Sequence, residues 1–222
     1  MGIPRKSVRI ALAVVLALIL LPLLAMADDV PEEKSALTRF APSLVPSGAL
    51  KYKRDLIRNA RYVWGLEAPV AVFAAQIHQE SRWNKNAKSA FAGGLAQFTP
   101  DTANWISGAY PQSLGANQPY NPAWAIRALV TYDKQLYDQA KSDAPCDKMW
   151  KALWGYNGGM GWVVRDEKLA AKSGANIRIA KEVEPFNAGR APAYFKENRD
   201  YPRAILFKWQ PLYASWGGAT CL

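Results

Sequence analysis

The chain has 222 residues, half of them hydrophobic and 12% aromatic, with 28 Lys+Arg against 18 Asp+Glu and a formal charge of +10. One histidine and two cysteines leave no zinc ligand set evident, and neither a metal nor a cofactor is expected.

Residues 1–27 read as an export signal. Arg5, Lys6 and Arg9 precede an apolar run over residues 10–24, and Ala25-Met26-Ala27 offers a small-x-small cleavage site before Asp28-Asp29. No cysteine lies near that site, so lipid modification is not expected. The alternative is an uncleaved membrane anchor, because the run approaches a span of roughly 18 residues. Pro22 and the Ala-Met-Ala ending favour cleavage. The expected location is the periplasm or cell envelope, with membrane contact only through this segment if it is retained. Cleavage removes three of the 28 basic residues and leaves 25 against 18, a charge of +7 on 222 − 27 = 195 residues. That length suits one domain with one core. An exported basic chain meets little nucleic acid, so no such partner is expected, and the chain is expected to act as a monomer.

Residues 28–50 contain Pro31, Pro42 and Pro46 with mixed charges and no period, which reads as a linker or extended arm. Residues 51–222 form the expected domain. Its first helix, over residues 51–64, carries Leu56, Ile57, Ala60 and Val63 on one side, and Gly65 can end it. Pro69 can then open a second helix at its first turn. From there Val70, Phe73, Ile77 and Glu80 recur at spacings of three and four, one face of a helix. Glu80 therefore continues a buried stripe, and apolar neighbours push a carboxyl pKa upward, to about 6 in such pockets. A carboxylic acid that protonates a leaving oxygen near neutral pH needs such a setting. The plain alternative is a helix-end glutamate whose carboxylate reaches into water.

Thr99-Pro100-Asp101 is a cap followed by proline at the first helical position, opening a helix toward Ile106, with Asp101 as a helix-start charge. Residues 107–120 hold Gly, Pro, Asn and Gln and read as a loop. Asn121-Pro122 repeats the cap signal, and the helix after it carries Ala125, Ala128, Leu129, Tyr132 and Leu136 along one face. Asp147 can cap a helix through Met149, Trp150, Leu153 and Trp154, which Gly158, Gly159 and Gly161 break before residues 162–171. A last helical segment lies near residues 201–208, before Pro211. No convincing series of strands and no repeat is seen, so the fold class is mostly α. Cys146 and Cys221 can pair, because export permits a disulfide. A loop of 75 residues would then stabilise by about 4 kcal/mol in the chain-entropy picture. Two separate thiols are the alternative.

Four blocks add a resemblance. Glu80-Ser81-Arg82-Trp83-Asn84 is followed by Ser89, by Gly94-Leu95-Ala96-Gln97-Phe98-Thr99-Pro100, by Gly155-Tyr156-Asn157-Gly158-Gly159 and by Glu197-Asn198-Arg199-Asp200-Tyr201. Their order over roughly two thirds of the mature chain resembles the soluble lytic transglycosylase (SLT) family of peptidoglycan-cleaving enzymes, including phage endolysin-type members. Ala96 and Thr99 stand where that family has methionines, and Gly158 where it has alanine. The resemblance implies a lysozyme-like domain, of the goose-type lysozyme and transglycosylase kind, with at most a small hairpin after Glu80. It implies cleavage between N-acetylmuramic acid and N-acetylglucosamine without water, with Glu80 as acid and then base and a 1,6-anhydromuramoyl product. Ser89 and Gln97 would hydrogen-bond the sugar, Asn157 would hold the glycan or the groove backbone, and Phe98, Trp105 and Tyr156 would stack on sugar faces. Tyr201 would point its hydroxyl at Glu80, a core tyrosine being its plainer role. Gly93-Gly94 would let backbone approach the sugar, and His78, whose spacing puts it on another helix face, would have a surface or packing role. The partner would be peptidoglycan glycan strands, whose carboxylates a basic groove would steer.

Ordinary glycosidases use two carboxylates, and the motif region supplies only Glu80. The rival readings are a goose-lysozyme-like hydrolase on the same fold and a wall-binding module without activity. Phage lysis, a secretion or conjugation apparatus, and housekeeping wall turnover all suit such a chain.

Overall fold

A computed structural model describes residues 45–221; the expected signal segment and the linker up to residue 44 lie outside the described residues. The described chain runs through helices α1 (Ser47–Leu50), α2 (Lys53–Trp64), α3 (Val70–Ser81), α4 (Pro100–Ala109), α5 (Pro111–Leu114), α6 (Pro122–Gln139), α7 (Pro145–Gly158), α8 (Met160–Lys172), α9 (Ala180–Val183) and α10 (Pro192–Arg203). A π-helical turn (Ala204–Trp209) and a 3-10 segment (Gln210–Trp216) follow. Only isolated β-bridges occur among the described residues, Lys88 to Gly93 and Gly93 to Phe98, in the loop after α3.

Local chemistry sets most helix ends. Thr99 caps α4 by accepting from the Thr102 N–H, and Asn121 caps α6 by accepting from Ala123 and Trp124. Gly65, at φ +84°, ends α2 in a conformation side chains disfavour. Five expectations are corrected. Pro69 sits one residue before α3, as its N-cap. Asp147 lies inside the first turn of α7, and its carboxylate instead accepts from the Ala180 N–H at 2.9 Å, holding the start of α9. The loop over 107–120 contains the end of α4 and the short α5, which Pro111 opens. The last helix begins at Pro192, and Pro202 lies within it. Residues 45–50, grouped with the linker by sequence, carry α1, and Ala49 is fully buried.

Helix α3 is the axis of the core. Every residue from Val70 to His78 is buried, so the helix is enclosed on all sides, not along one stripe. It packs against the 3-10 segment, the π turn and α2. Full burial of side chains such as Phe73 and Ile77 stabilises by about 1.5–3 kcal/mol each. Only its last turn emerges, with Gln79 exposed and Glu80 half-buried. Its first turn has no side-chain cap. The Gly218 carbonyl accepts from the Ala71 N–H at 3.0 Å instead. That tail is fastened by Gln210, which donates to the Thr220 carbonyl at 2.9 Å and accepts from its N–H at 3.0 Å, and by the Cys146–Cys221 disulfide. His78, for which the sequence left a surface or a packing role, is buried between Tyr213, 2.7 Å from its Nδ1, and the stacked ring of Trp209.

A second cluster around Trp154, Val163, Ala170, Ala180 and Val183 joins α7, α8 and α9. Charge is buried beside it, and each charge is met. Lys151 Nζ, with no exposed surface, spends its three donors on Glu167 and the carbonyls of Lys141 and Ile177. Asp166 receives both Arg190 and Arg199, and the Arg199 guanidinium lies 4.2 Å from the Trp154 ring centre.

Candidate active site

The site begins where α3 leaves the core. Arg82 and Trp83 adopt left-handed backbone, φ +49° and +67°, and turn the chain sharply after Ser81. Trp83 holds that turn by donating to Tyr213 Oη at 2.7 Å while buried against Tyr52, Tyr213 and Trp216. The turn leaves Glu80 at the rim of the core. Burial pushes its carboxyl pKa up to about 7, against the pull of a hydrogen bond from Tyr201 and with a further push from the Glu197 charge. At neutral pH both protonation states are populated, which a residue that donates and then accepts a proton requires.

Tyr201, at the end of α10, donates its hydroxyl to Glu80 Oε1. Its ring lies parallel to that of Tyr156, 6.4 Å away, and Tyr156 donates to the Ala96 carbonyl at 2.7 Å. Burial first, then the Glu80 charge, raises both phenols well above their ordinary range, so both remain donors. Pro202 follows directly, and the hydrogen-bond ladder then widens, Gln210 donating to Ile205 five residues back.

The loop after α3 is stapled to itself. Ser89 Oγ accepts from Phe91 and Ala92, and Gln97, at φ +49°, donates to the carbonyls of Ala87 and Gly94. The donors of Gln97 are thus committed inside the loop. Phe98 is corrected from its expected stacking role. It is 4% exposed, and Trp124, Tyr132 and Tyr156 surround its ring at 5.7, 6.2 and 5.8 Å. Gly93 and Gly94 do serve close approach, but of another loop: a Cβ on Gly94 would meet the Pro119 carbonyl at 1.9 Å, and one on Gly93 the Tyr120 hydroxyl at 2.4 Å. Trp105 keeps 47% of its surface exposed beside Tyr132, in a groove of about 420 Å³ with Gln135, Gln139 and Met160.

Asn157, next to Tyr156, donates to Glu197 at 3.3 Å and accepts from Asn198 at 3.1 Å. Asn198 also donates to the Trp154 carbonyl and accepts from Arg190 and Arg199. The buried Asp166–arginine group therefore fixes Asn157. Asn157 and Glu197 line a cavity of about 500 Å³ with Trp162, Arg190 and the exposed Tyr194. Ser89 and Phe98 line another of about 220 Å³. Sequence reasoning gave no role to Glu197 or Asn198, although both stand in a recognised block. It also missed Gln76 and Asp133, which are fully buried and joined at 3.3 Å behind Glu80. Among the described residues no group of three His, Cys, Asp or Glu is placed to hold a metal.

A profile of the transglycosylase SLT domain matches residues 55–179, 125 of the 222. A membrane-bound lytic murein transglycosylase F of Shewanella halifaxensis is 32% identical over 131 residues, 57% of this chain and 26% of that protein. Its counterpart in Aeromonas hydrophila is 29% identical over 189 residues, 75% of this chain and 34% of that protein. The chain thus spans a quarter to a third of the length of these relatives. The crystal structure of the 70 kDa soluble lytic transglycosylase of Escherichia coli covers 75% of this chain and 25% of its own, at 25% identity and a TM-score of 0.54. The mostly α, lysozyme-like fold expected from the sequence is the fold of that enzyme.

Proposed function

The chain belongs to the transglycosylase SLT family, and from that premise we propose that it is a lytic transglycosylase of the cell envelope, acting on the glycan strands of peptidoglycan. The observation that carries this reading is Glu80, held half-buried by Tyr201 with its pKa pushed up to about 7. The protonated carboxyl gives its proton to the oxygen joining N-acetylmuramic acid to N-acetylglucosamine. The bond from C1 to that oxygen breaks, and the sugar's own acetamido group stabilises the positive charge that develops at C1. Glu80, now a carboxylate, takes the proton of the muramoyl C6 hydroxyl as that oxygen closes on C1. No water is consumed, and the product ends in a 1,6-anhydro ring. Tyr201 supports the first half-step, because its hydrogen bond stabilises the carboxylate that forms as the proton leaves.

A hydrolase with two working carboxylates could not use Asp133, which has no exposed surface with which to reach a water or a sugar; the exposed Glu197, whose charge also reaches Glu80, accepts from the Asn157 amide at 3.3 Å. Asn157, Glu197, Trp162 and Tyr194 offer the polar and aromatic lining that sugars use. Ser89 and the exposed Trp105 would meet neighbouring sugars. Mass spectrometry of products from purified peptidoglycan tests the reading. Muropeptides one water lighter than lysozyme products are expected, and reducing muramoyl ends would reject it in favour of hydrolysis.

A further inference from the structure

Gln76 lies one helical turn before Glu80, at i and i+4, and both it and Asp133 of α6 are without exposed surface. One hydrogen bond joins them, from Gln76 Nε2 to Asp133 Oδ1 at 3.3 Å. One atom of each is left without a partner, Gln76 Oε1 and Asp133 Oδ2. Both are acceptors when Asp133 is ionised, so they cannot satisfy each other. A single proton on Oδ2 changes that: the acid then donates to Oε1 while the amide donates to Oδ1, and both unpaired atoms are met by the same pair. Among the described residues no Lys, Arg or His is within ion-pair distance of Asp133. The titratable groups that feel it are Glu80 from α3, Tyr132 from its own helix, Tyr156 from α7 and Tyr201 from α10, and none is a cation. An unpaired buried carboxylate in such a place neutralises.

We propose that Asp133 keeps its proton while Glu80 titrates and forms with Gln76 a neutral two-point acid–amide pair that seats the last turn of α3, making Asp133 a positioning residue for Glu80. The idea deepens the transglycosylase reading, since it supposes that Glu80 is the group whose charge changes during turnover. Burial, reinforced by the Glu80 charge, holds the Asp133 carboxyl well above the usual range. Because the Glu80 charge opposes ionisation of Asp133, the two carboxyls do not both ionise readily. A permanently neutral Asp133 leaves the cycle of charge to Glu80.

The first test needs no activity, so it separates this proposal from the function beneath it. In the Glu80→Gln protein at about pH 8, where exposed carboxyls are ionised, infrared spectroscopy should still show a protonated-carboxyl C=O band. That band should move on ¹³C labelling of aspartate and vanish in Glu80→Gln/Asp133→Asn. Absence of the band overturns the proposal. The second test uses peptidoglycan turnover. Asp133→Leu strands the Gln76 amide and should lower kcat at least about tenfold with KM little changed. Asp133→Asn can remake both hydrogen bonds and should recover most of that loss with the basic limb of the pH profile in place. An Asp133→Asn protein that is folded yet as slow as Asp133→Leu, or whose basic limb moves down by about one pH unit as a removed negative charge would require, overturns it.

Discussion

Replacing Glu80 by glutamine should make the protein both inactive and more stable, and the gain should depend on pH. The glutamate carboxyl rises from 4.5 to about 7 on folding, mainly through burial. A raised pKa means that the folded state binds the proton more tightly than the unfolded chain. The stability this gives is complete below about pH 4.5 and is lost as pH climbs through about 7. Each tenfold gain in proton affinity is worth about 1.4 kcal/mol, so the ionised glutamate costs about 3 kcal/mol near pH 8 and under about 1 kcal/mol near pH 5. Glutamine is neutral at every pH and still accepts from Tyr201. Urea unfolding of both proteins, disulfide intact, at the two pH values is the assay. The expected result is a variant about 3 kcal/mol more stable at the higher pH, with most of that gap gone at the lower, and a fall in turnover of about 10²–10⁴-fold or more. A gap that does not change with pH would refute the assignment of a raised pKa to Glu80. Turnover close to wild type would refute its catalytic role.

Tyr201→Phe removes the one hydrogen bond that favours the Glu80 carboxylate. The basic limb of the pH–activity profile should move up by about one pH unit with kcat reduced about tenfold; an unmoved limb would show that the contact does not tune Glu80. Cys221→Ser should lower unfolding stability by up to about 4 kcal/mol, measured by urea melts, and should speed hydrogen exchange at Ala71, whose N–H the C-terminal tail accepts. Gly158→Ala, which restores the family's alanine, places a methyl 2.8 Å from the Asn198 amide and displaces it from Trp154 and Asn157. That change should cost about 1–3 kcal/mol and reduce turnover; an unaltered variant would show that Asn198 has slack.

Much of the fold was legible because helix starts are written in short-range chemistry. Thr99-Pro100 and Asn121-Pro122 satisfy orphan N–H groups locally, so they mean the same thing in any context. Where satisfaction is long-range the sequence misleads. Asp147 looks like the cap of its own helix but accepts from Ala180, 33 residues on. The uncapped start of α3 looks incomplete until Gly218 arrives from the far end of the chain. Phe98 sits in a motif beside expected sugar contacts, yet Trp124, Tyr132 and Tyr156, which enclose it, come from two other helices.

The proposed catalytic pair and its setting divide along the same line. Glu80 and Tyr201 could be named because each belongs to a recognisable block. The groups that would tune them lie outside any block, but they leave a different trace. On α6 the apolar positions Ala125, Leu129 and Leu136 define one face, and Asp133, four residues after Leu129 and three before Leu136, interrupts it. Gln76 ends the apolar run from Val70 to Ala75 of α3 one turn before Glu80. A polar residue on one core helix demands a polar residue on another, since burying either alone leaves unmet hydrogen-bonding groups. Two such interruptions on helices expected to share one core are therefore a long-range pairing signal. Had that rule been applied to the sequence, it would have placed a second carboxyl behind Glu80, where the structure has it. It would also have indicated why that carboxyl belongs to the support of the site and not to the reacting surface.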